Sequence, residues 1–413
     1  MKYILLIGDG MADNPIDSLG GKTPLQYANT PVIDSLADKG RVGSVRTIPD
    51  GQAAGSDTAI LSIFGCDPVK YNKGRAPLEA AASGIHVEPG SAAFRCNMVA
   101  LEDGDMPFEQ KRIFSHSGGD VEADESITLI EALFVDPRFA PLAERAGLRV
   151  YPSPSFRHII VQKNADLTGF TAQPPHDHLG EVIGPVLPSG SETAETLKTL
   201  MAVANEVLDP HPVNQARREA GKLPANGIWL WAEGTAVALP QFAEVYGKSG
   251  GVISAVALCH GIAALTGLVP ITVPGATGKL HTNYEGKVEA AVKSLQTNGD
   301  FVTIHVEAPD ECTHNGDLEG KLQAIEWIDS RVLRYLMECL EQAGMTDYRL
   351  LFMSDHRTLT STRGHDPEPV PFLLYDSRIE NNSGQTYCEA DGAKGEHLPD
   401  GTMLMPLLFS DTL

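Results

Sequence analysis

The chain has 413 residues, more than a single hydrophobic core usually organises, so we expect two domains. Its composition, 42% hydrophobic and 21% charged, is typical of a globular protein. The formal net charge of −22 argues against binding to the phosphate backbone of a nucleic acid, which requires a basic face. A small anionic substrate is still compatible with this charge, because a metal ion or a local group of arginines can outweigh it.

Cysteine usage and the apolar runs indicate a soluble, cytoplasmic protein. The six cysteines are scattered and form no CxxC pair, so we expect reduced thiols rather than a disulfide framework or a zinc ribbon. The apolar run at residues 3–7 is too short for the core of a signal peptide, and no stretch approaches the length of a membrane span. We therefore expect neither a membrane partner nor a nucleic-acid partner.

Asp9 follows the first predicted strand directly. Residues 3–7 have the continuous apolar character of a buried parallel strand, and they lead into Gly8-Asp9-Gly10. Sites in α/β proteins assemble at the carboxyl ends of such strands, which makes Asp9 a candidate site residue. The ordinary alternative is an aspartate that serves only as a turn residue.

Ser56 occupies a position that suits a nucleophile. It lies in the segment GSDTA at residues 55–59, between a predicted strand at residues 41–48 and a helix-like apolar run at residues 60–64. A serine at the start of a helix has outward-pointing backbone N–H groups beside it, and the helix dipole favours an anion there. N-capping of the helix is the alternative role for such a serine.

A change in the pattern of strand-like and helical segments in the middle of the chain predicts an inserted module. Strand and helix patterns alternate at both ends, which predicts one α/β domain formed by residues 1–90 and 224–413, with a mostly parallel sheet and helices on both faces. Residues 91–223 contain short strand-like and helical runs and a segment rich in proline and glycine, and we expect a separate α+β domain there. In the last part of the α/β domain, we expect strands at residues 228–231, 251–256, 301–306 and 349–354.

Several basic residues in or near the inserted module are candidates for ligand contact. Arg75 precedes a predicted helix, where it is either an anion clamp or a surface residue. His176 and His178 lie two residues apart in a proline-rich loop, and metal binding, substrate contact and a plain loop role are all open for them. The polar loops at residues 115–119 and 155–158 are further candidates.

Two predicted strand ends in the second half carry the residue types of a metal site. Asp310 and His314 follow the strand at residues 301–306, and their spacing of four lets both face one ion if the segment is helical. Asp355 and His356 follow the next strand, and His365 comes nine residues after His356. Carboxylates combined with imidazoles are the ligands of divalent transition metals.

Together with Asp9 and Ser56, these residues place acids, imidazoles and a hydroxyl at four separate strand ends. We therefore predict a two-metal site at one edge of the sheet. Two cations there would lower the pKa of a serine hydroxyl and hold phosphate oxygens against it, which is the chemistry of phosphoryl transfer.

The same segments resemble the alkaline phosphatase superfamily, and more closely the archaeal-type cofactor-independent phosphoglycerate mutases. The resemblance rests on GDGM at residues 8–11, GSDTA at 55–59, APDECTH at 308–314, SDH at 354–356 and GH at 364–365. It is supported by GGKTPL at residues 20–25, GRAPLEA at 74–80 and FRCN at 94–97, so that it runs nearly from end to end.

The resemblance implies an alkaline-phosphatase-like fold, a phosphoserine intermediate and a division of labour among the site residues. Asp9, Ser56, Asp355 and His356 would hold one metal ion, and Asp310, His314 and His365 the other. The ions would be manganese, with zinc, cobalt or magnesium as alternatives. The inserted domain would close over a small phosphorylated substrate and supply contacts from Arg75, Arg157, His158 and His176, with Lys287 as a further contact.

Some segments depart from the mutase pattern. Ala76 stands where a glycine is common, and the Thr-Pro pair common after the SDH segment is missing. FSHSGG at residues 114–119, PPHD at 174–177, HPVN at 211–214 and PAN at 224–226 resemble a sister branch proposed to contain alternative homoserine kinases. The resemblance to the mutases over nearly the whole chain implies interconversion of 3- and 2-phosphoglycerate. A homoserine kinase-like phosphotransferase of threonine biosynthesis and a metal-dependent phosphatase are the alternatives.

Overall fold

The computed structural model describes residues 1–297, 299–379 and 381–410. The strands, β1 to β15 in chain order, are Lys2–Gly8, Arg41–Val45, Ala92–Leu101, Ile113–Ser115, Leu148–Tyr151, Arg157–Gln162, Gly227–Thr235, Gly250–Ile253, Val269–Ile271, Phe301–Val306, Tyr348–Met353, Arg357–Leu359, Gly364–Asp366, Val370–Asp376 and Glu396–Leu398.

The α-helices, α1 to α17 in chain order, are Pro24–Tyr27, Pro31–Lys39, Ser56–Ile63, Pro68–Tyr71, Arg75–Ala82, Ala123–Val135, Ala140–Arg145, Glu192–Leu208, Pro212–Glu219, Phe242–Tyr246, Ala257–Thr266, Tyr284–Thr297, Ala308–His314, Leu318–Trp327, Arg334–Gln342, Glu389–Gly392 and Leu404–Phe409. A π-helical turn, Ile328–Leu333, joins α14 to α15. No helix within the described ranges has the length and apolar character needed to cross a membrane.

The chain forms two compact units. The first unit consists of Met1–Asn72 and Ala238–Leu413, and the second of Lys73–Val237. The sequence-based boundaries at residues 90 and 224 therefore fall inside the second unit. The reason is packing, since α5 lies against both β3 and β7 and stays with their sheet.

The first unit is built on an eight-stranded sheet in the order β15-β2-β14-β11-β1-β10-β8-β9. β1 lies near its centre and pairs in parallel with β10 on one side and β11 on the other. Its apolar run is fully buried, as expected for a strand covered on both faces. Among the described strands of this sheet, only the two pairings of β14, with β11 and β2, are antiparallel, which confirms the predicted mostly parallel sheet.

The second unit is built on a separate antiparallel sheet. β3 pairs with β6 and β7, and the sheet continues through β4 and β5. A hydrophobic core that includes Phe94 and Trp229 covers one part of this sheet. The second unit thus combines an antiparallel sheet with helices.

The prediction that residues 228–231 join the parallel sheet is wrong. These residues belong to β7, which pairs antiparallel with β3, for example Trp229 with Asn97 and Leu230 with Cys96. A short apolar run is compatible with any buried strand, and long-range packing decides which strand it pairs with.

Substitution of Trp229 tests this packing, because its side chain is fully buried in the core of the second unit and its Nε1 donates to the carbonyl of Gln173. We expect Trp229→Ala to destabilise the second unit by about 3–5 kcal/mol. Urea unfolding followed by circular dichroism measures this cost, with Val135→Ala, at a 78% exposed residue of the same unit, as the control. Equal unfolding midpoints for the two variants would contradict the assignment of Trp229 to this core.

Candidate active site

Three parallel strands of the first unit end at the same edge of the sheet, and polar residues follow each of them. Asp9 comes directly after β1, and its backbone N–H donates to the carbonyl of Val306 at the end of β10, 2.9 Å away. Asp355 follows β11, and its Oδ1 accepts hydrogen bonds from the backbone N–H groups of Gly10 and His356 at 3.1 and 2.9 Å. The sheet therefore places both carboxylates side by side.

Asp9, Asp355 and His356 form one group of potential metal ligands. His356 Nε2 lies 3.5 Å from Asp9 Oδ1 and 3.4 Å from Asp355 Oδ2. All three side chains are buried. Ser56 Oγ lies 3.1 Å from the same His356 Nε2, so the serine hydroxyl joins this group.

Asp310, His314 and His365 form a second group. Asp310 Oδ2 lies 3.2 Å from His314 Nε2, four residues further along α13, and Asp310 Oδ1 lies 3.4 Å from His365 Nε2. The hairpin of β12 and β13 brings His365 into this group, because it pairs His365 with Thr358. Ligand atoms of Asp310, His365 and His356 also lie within 4.8 Å of one another, so His356 is shared by the two groups.

The three imidazoles are oriented by their other ring nitrogens. His314 Nδ1 lies 2.8 Å from the carbonyl oxygen of Arg363, His365 Nδ1 lies 3.3 Å from that of Ala54, and His356 Nδ1 lies 3.3 Å from that of Arg357. A carbonyl on Nδ1 favours the tautomer with the proton there and leaves Nε2 as a ligand atom. The Nε2 atoms of His314 and His365 face each other at 3.0 Å, an arrangement that a cation would stabilise.

The charges of these groups call for a cation. Burial raises the pKa of Asp9 well above its usual range, and the neighbouring Asp355 and Asp310 raise it further. Asp9 Oδ1 and Asp355 Oδ2 are buried and have no hydrogen-bond partner among the described residues. Burying two carboxylates with unpaired oxygens is costly, so the donor set fits a divalent metal bound by oxygen and nitrogen.

At the second group, a proton and a metal cation would compete for the imidazole of His314. Although burial alone would raise it, contacts with His314 and His365 hold the pKa of Asp310 well below its usual range. The contact with Asp310 raises the pKa of His314 to about 9. A metal ligated by His314 would therefore displace a proton, as is general for imidazole ligands.

Ser56 lies where the sequence predicted it, at the first residue of α3. Apolar residues of the helix itself anchor it in the core, including the fully buried Ile63. Backbone N–H groups of the first turn and the helix dipole favour a negatively charged group next to Ser56. The position suits a hydroxyl that attacks a phosphate.

The structure adds residues to the site that sequence analysis missed. Thr358 Oγ1 donates to Asp310 Oδ1 at 2.6 Å. Gly10 has a φ of +62°, and a Cβ there would collide with Thr358 Oγ1 and Asp310 Oδ1, so only glycine allows this close approach. His305 Nε2 lies 3.1 Å from Asp9 Oδ2. His305 sits inside β10, and an imidazole near the end of a buried strand is the only signal that the sequence offers for it.

Lys287 does not fit the predicted role of a substrate contact. Its side chain is fully buried, and Nζ donates to Glu307 Oε2 and to the carbonyl oxygen of His305, both at 2.6 Å. Although burial alone would raise it, Lys287 and His305 hold the pKa of Glu307 far below its usual range. Lys287 therefore serves as the counter-charge of an internal carboxylate.

In the second unit, two arginines share one carboxylate. Arg95 Nε donates to Glu79 Oε2 at 2.8 Å, and Arg75 Nε lies 3.4 Å from Glu79 Oε1. Arg157 donates through Nε to Asn97 Oδ1 at 3.3 Å and forms no ion pair with any described carboxylate. Burial, followed by the charge of Arg95, lowers the pKa of Arg157 to about 10. The predicted residues Arg75 and Arg157 thus belong to one cationic group.

His176 lies beside this cationic group, whereas His158 does not face solvent. The ring of His176 contacts that of Trp231 at a centroid distance of 5.4 Å, and the guanidinium of Arg95 lies over Trp231 at 4.7 Å. His158 is fully buried, with its ring nitrogens 3.0 Å from Ser126 Oγ and 3.1 Å from the backbone N of Ser153. A structural role accounts for His158, and the predicted substrate contact does not fit its burial.

Comparison with known proteins first defines the fold. The chain superposes on a protein of Pyrococcus horikoshii with a TM-score of 0.79 and 28% identity, covering 100% of this chain and 98% of the other. It also superposes on the cofactor-independent phosphoglycerate mutase of Thermoplasma acidophilum with a TM-score of 0.64 and 26% identity, covering 99% of both chains. The predicted α/β fold class is confirmed.

The sequence comparisons then define the family. Residues 37–214 match the family model described as 2,3-bisphosphoglycerate-independent phosphoglycerate mutase. The chain is 44% identical over 395 residues to the 2,3-bisphosphoglycerate-independent phosphoglycerate mutase of Methanosarcina acetivorans, with 95% of each chain covered. The chain therefore belongs to the 2,3-bisphosphoglycerate-independent phosphoglycerate mutase family.

Asp9→Asn tests the charge argument. Because the change removes one negative charge from a buried pair, we expect the variant to melt at the same or a higher temperature than the parent in EDTA. Added Mn²⁺ at about 100 times its Kd should stabilise the parent by about 2.7 kcal/mol and the variant by much less.

Differential scanning fluorimetry with EDTA or Mn²⁺ measures both effects. Asp50→Asn is the control, because the side chain of Asp50 is 95% exposed. An Asp9→Asn protein that gains as much from Mn²⁺ as the parent would remove Asp9 from the metal site.

Proposed function

We propose that the chain interconverts 3-phosphoglycerate and 2-phosphoglycerate, a step of glycolysis and gluconeogenesis, through a phosphoserine formed on Ser56. The observation that carries this proposal is the position of Ser56 Oγ, at the start of α3 and 3.1 Å from His356 Nε2, beside two buried carboxylates with unpaired oxygens. Membership of the mutase family supports the choice of substrate.

Two divalent cations, with manganese as the first choice and zinc, cobalt or magnesium as alternatives, would be held by the two groups of ligands. Asp9, Ser56, Asp355 and His356 would hold one cation, and Asp310, His314 and His365 would hold the other. Cations bound there would lower the pKa of the serine hydroxyl and neutralise phosphate oxygens. The unpaired oxygens of Asp9 and Asp355 support the first set, and the facing Nε2 atoms of His314 and His365 support the second.

The chain's own residues then carry out two in-line displacements. Ser56 Oγ attacks the phosphorus of 3-phosphoglycerate, the bond from phosphorus to the substrate's 3-oxygen breaks, and the proton lost by Ser56 ends on that 3-oxygen as a hydroxyl. The retained glycerate then turns its 2-hydroxyl to the phosphoserine and attacks its phosphorus. The bond from phosphorus to Ser56 Oγ breaks, and the proton lost by the 2-hydroxyl ends on Ser56 Oγ. The first turn of α3 favours the phosphate charge in both steps.

The first unit would be the catalytic domain and the second the substrate-binding domain. Arg75, Arg157 and His176 are the residues of the second unit that we assign to the anionic groups of the substrate. Arg157 is the strongest of these, because it is half-buried and no described carboxylate forms an ion pair with it. An arginine fork binds carboxylates and phosphates in two-point contacts, which suits glycerate.

A side-by-side assay tests the reaction. Protein loaded with Mn²⁺ is given 3-phosphoglycerate in one sample and homoserine with ATP in the other, and the products are identified by NMR. We expect 2-phosphoglycerate in the first sample only. O-phosphohomoserine in the second sample would replace the mutase by the kinase alternative, and free phosphate with glycerate in the first would replace it by a phosphatase.

Ser56→Ala should lower turnover by at least about 10³-fold, because it removes the hydroxyl that carries the phosphoryl group. Mn²⁺ binding should be weakened far less than turnover, since the carboxylate and imidazole ligands remain. Phosphopeptide mass spectrometry after brief reaction with substrate should find the modification on the peptide containing Ser56 in the parent only. Turnover near the parent rate would exclude Ser56 as the nucleophile.

Arg157→Gln should raise the KM for 3-phosphoglycerate by about 10- to 100-fold, the effect of losing one charged hydrogen bond of about 1.5–3 kcal/mol. Steady-state kinetics at saturating Mn²⁺ measures this change. Arg138→Gln is the matched control, because Arg138 belongs to the same unit and its side chain is 52% exposed. Equal KM values for the two variants would remove Arg157 from substrate binding.

A further inference from the structure

One fully buried histidine of the first unit has no part in the reaction described so far. His305 lies in β10, 1% exposed, and each of its ring nitrogens faces a carboxylate. Nε2 lies 3.1 Å from Asp9 Oδ2, and Nδ1 lies 3.2 Å from Glu307 Oε1. A buried polar ring in contact with two acids is a specific arrangement, because an unmatched group there would be costly.

The side of His305 away from Asp9 is held by further partners. Ser254 Oγ lies 3.0 Å from His305 Nδ1 and donates to Glu307 Oε1 at 2.8 Å. Glu307 Oε2 in turn accepts from Lys287 Nζ at 2.6 Å. Asp9, His305 and Glu307, at the ends of β1 and β10, thus form a chain of alternating acids and bases that ends on Lys287 of α12. Such a chain restricts the rotation of the imidazole about its χ angles.

The two oxygens of Asp9 have different surroundings. Oδ2 lies 3.1 Å from His305 Nε2 in an ion-pair contact, whereas Oδ1 lies on the side of His356 Nε2, 3.5 Å away. Neither Oδ1 nor His305 Nε2 forms a hydrogen bond among the described residues, so the ion-pair contact is what links the two side chains. The torsion that rotates a carboxylate is soft, so an aspartate without a fixed partner samples several orientations. The contact with His305 selects the orientation in which Oδ1 faces the other ligand atoms.

We propose that His305 is a positioning residue that fixes the Asp9 carboxylate through Oδ2, so that Oδ1 is presented to the cation bound with Asp355 and His356. Ser254 and Glu307 fix the ring of His305 for this purpose. The inference rests on the proposed metal site. A partner behind a metal ligand typically contributes 10- to 100-fold to metal affinity.

Two substitutions at position 305 separate the donor from the space that the ring fills. The amide nitrogen of His305→Gln can reach the position of Nε2 and donate to Asp9, whereas the shorter side chain of His305→Asn cannot. Thr303→Val is the matched control, because Thr303 is equally buried on the same strand and its hydroxyl has no hydrogen-bond partner among the described residues.

Isothermal titration of the EDTA-treated full-length proteins with Mn²⁺ measures the two binding events directly. We expect His305→Asn to weaken one of the two by about 10- to 100-fold and to leave the other unchanged. His305→Gln should stay within about 3-fold of the parent, and Thr303→Val should match the parent. Turnover of His305→Asn should recover most of its kcat at saturating Mn²⁺, since the ligands and the nucleophile are intact.

The outcomes are distinguishable. Parent affinity in His305→Asn, or an equal loss in His305→Gln and His305→Asn, would overturn the positioning role of His305. If His305→Asn does not fold, Ser254→Ala decides, because it removes one fixing contact with a small change of volume and should weaken the same binding event by about 3-fold. An unchanged affinity in Ser254→Ala would then overturn the proposal. A parent protein that binds no Mn²⁺ would instead overturn the metal site itself.

Discussion

The central constraint on the first unit is the burial of two carboxylates, those of Asp9 and Asp355, next to each other at one edge of the sheet. Each has an oxygen without a hydrogen-bond partner among the described residues, and mutual repulsion adds to the cost of removing them from water. A folded protein keeps such a pair only where positive charge is available. The surrounding imidazoles and the proposed cations supply that charge, and the rest of the site is arranged around it.

The sheet and its loops divide this task. Parallel pairing of β1 with β10 and β11 puts the ends of the three strands together, and this alone juxtaposes Asp9 with Asp355. Helix α13 and the hairpin of β12 and β13 then add Asp310, His314 and His365 from outside the sheet. Backbone carbonyls accept from the Nδ1 atoms of the three imidazoles, so main-chain groups orient these rings.

Features that depend on a few neighbouring residues could be predicted from the sequence, whereas features that depend on contacts between distant residues could not. Asp9, Ser56, Asp355 and His356 could be found because each follows an apolar strand or opens a helix within a few residues, and the mostly parallel sheet was predicted from the same alternation. The pairing of β7 with β3 could not be predicted, since an apolar run of four residues does not determine which strand it pairs with. His305 and Lys287 were also beyond reach, because their roles depend on contacts with Glu307 that only the folded chain creates.

The second unit contains the opposite arrangement, a group of arginines with few acidic partners. Acidic residues outnumber basic ones by 54 to 32 in this chain, so a buried guanidinium has many potential partners available. Arg75 and Arg95 nevertheless share the single carboxylate of Glu79, and Arg157 forms no ion pair with a described carboxylate. Burial lowers the pKa of Arg157, because it removes water from around the guanidinium. A cationic group with few acidic partners in an acidic protein supports the proposal that the second unit binds the anionic groups of a substrate.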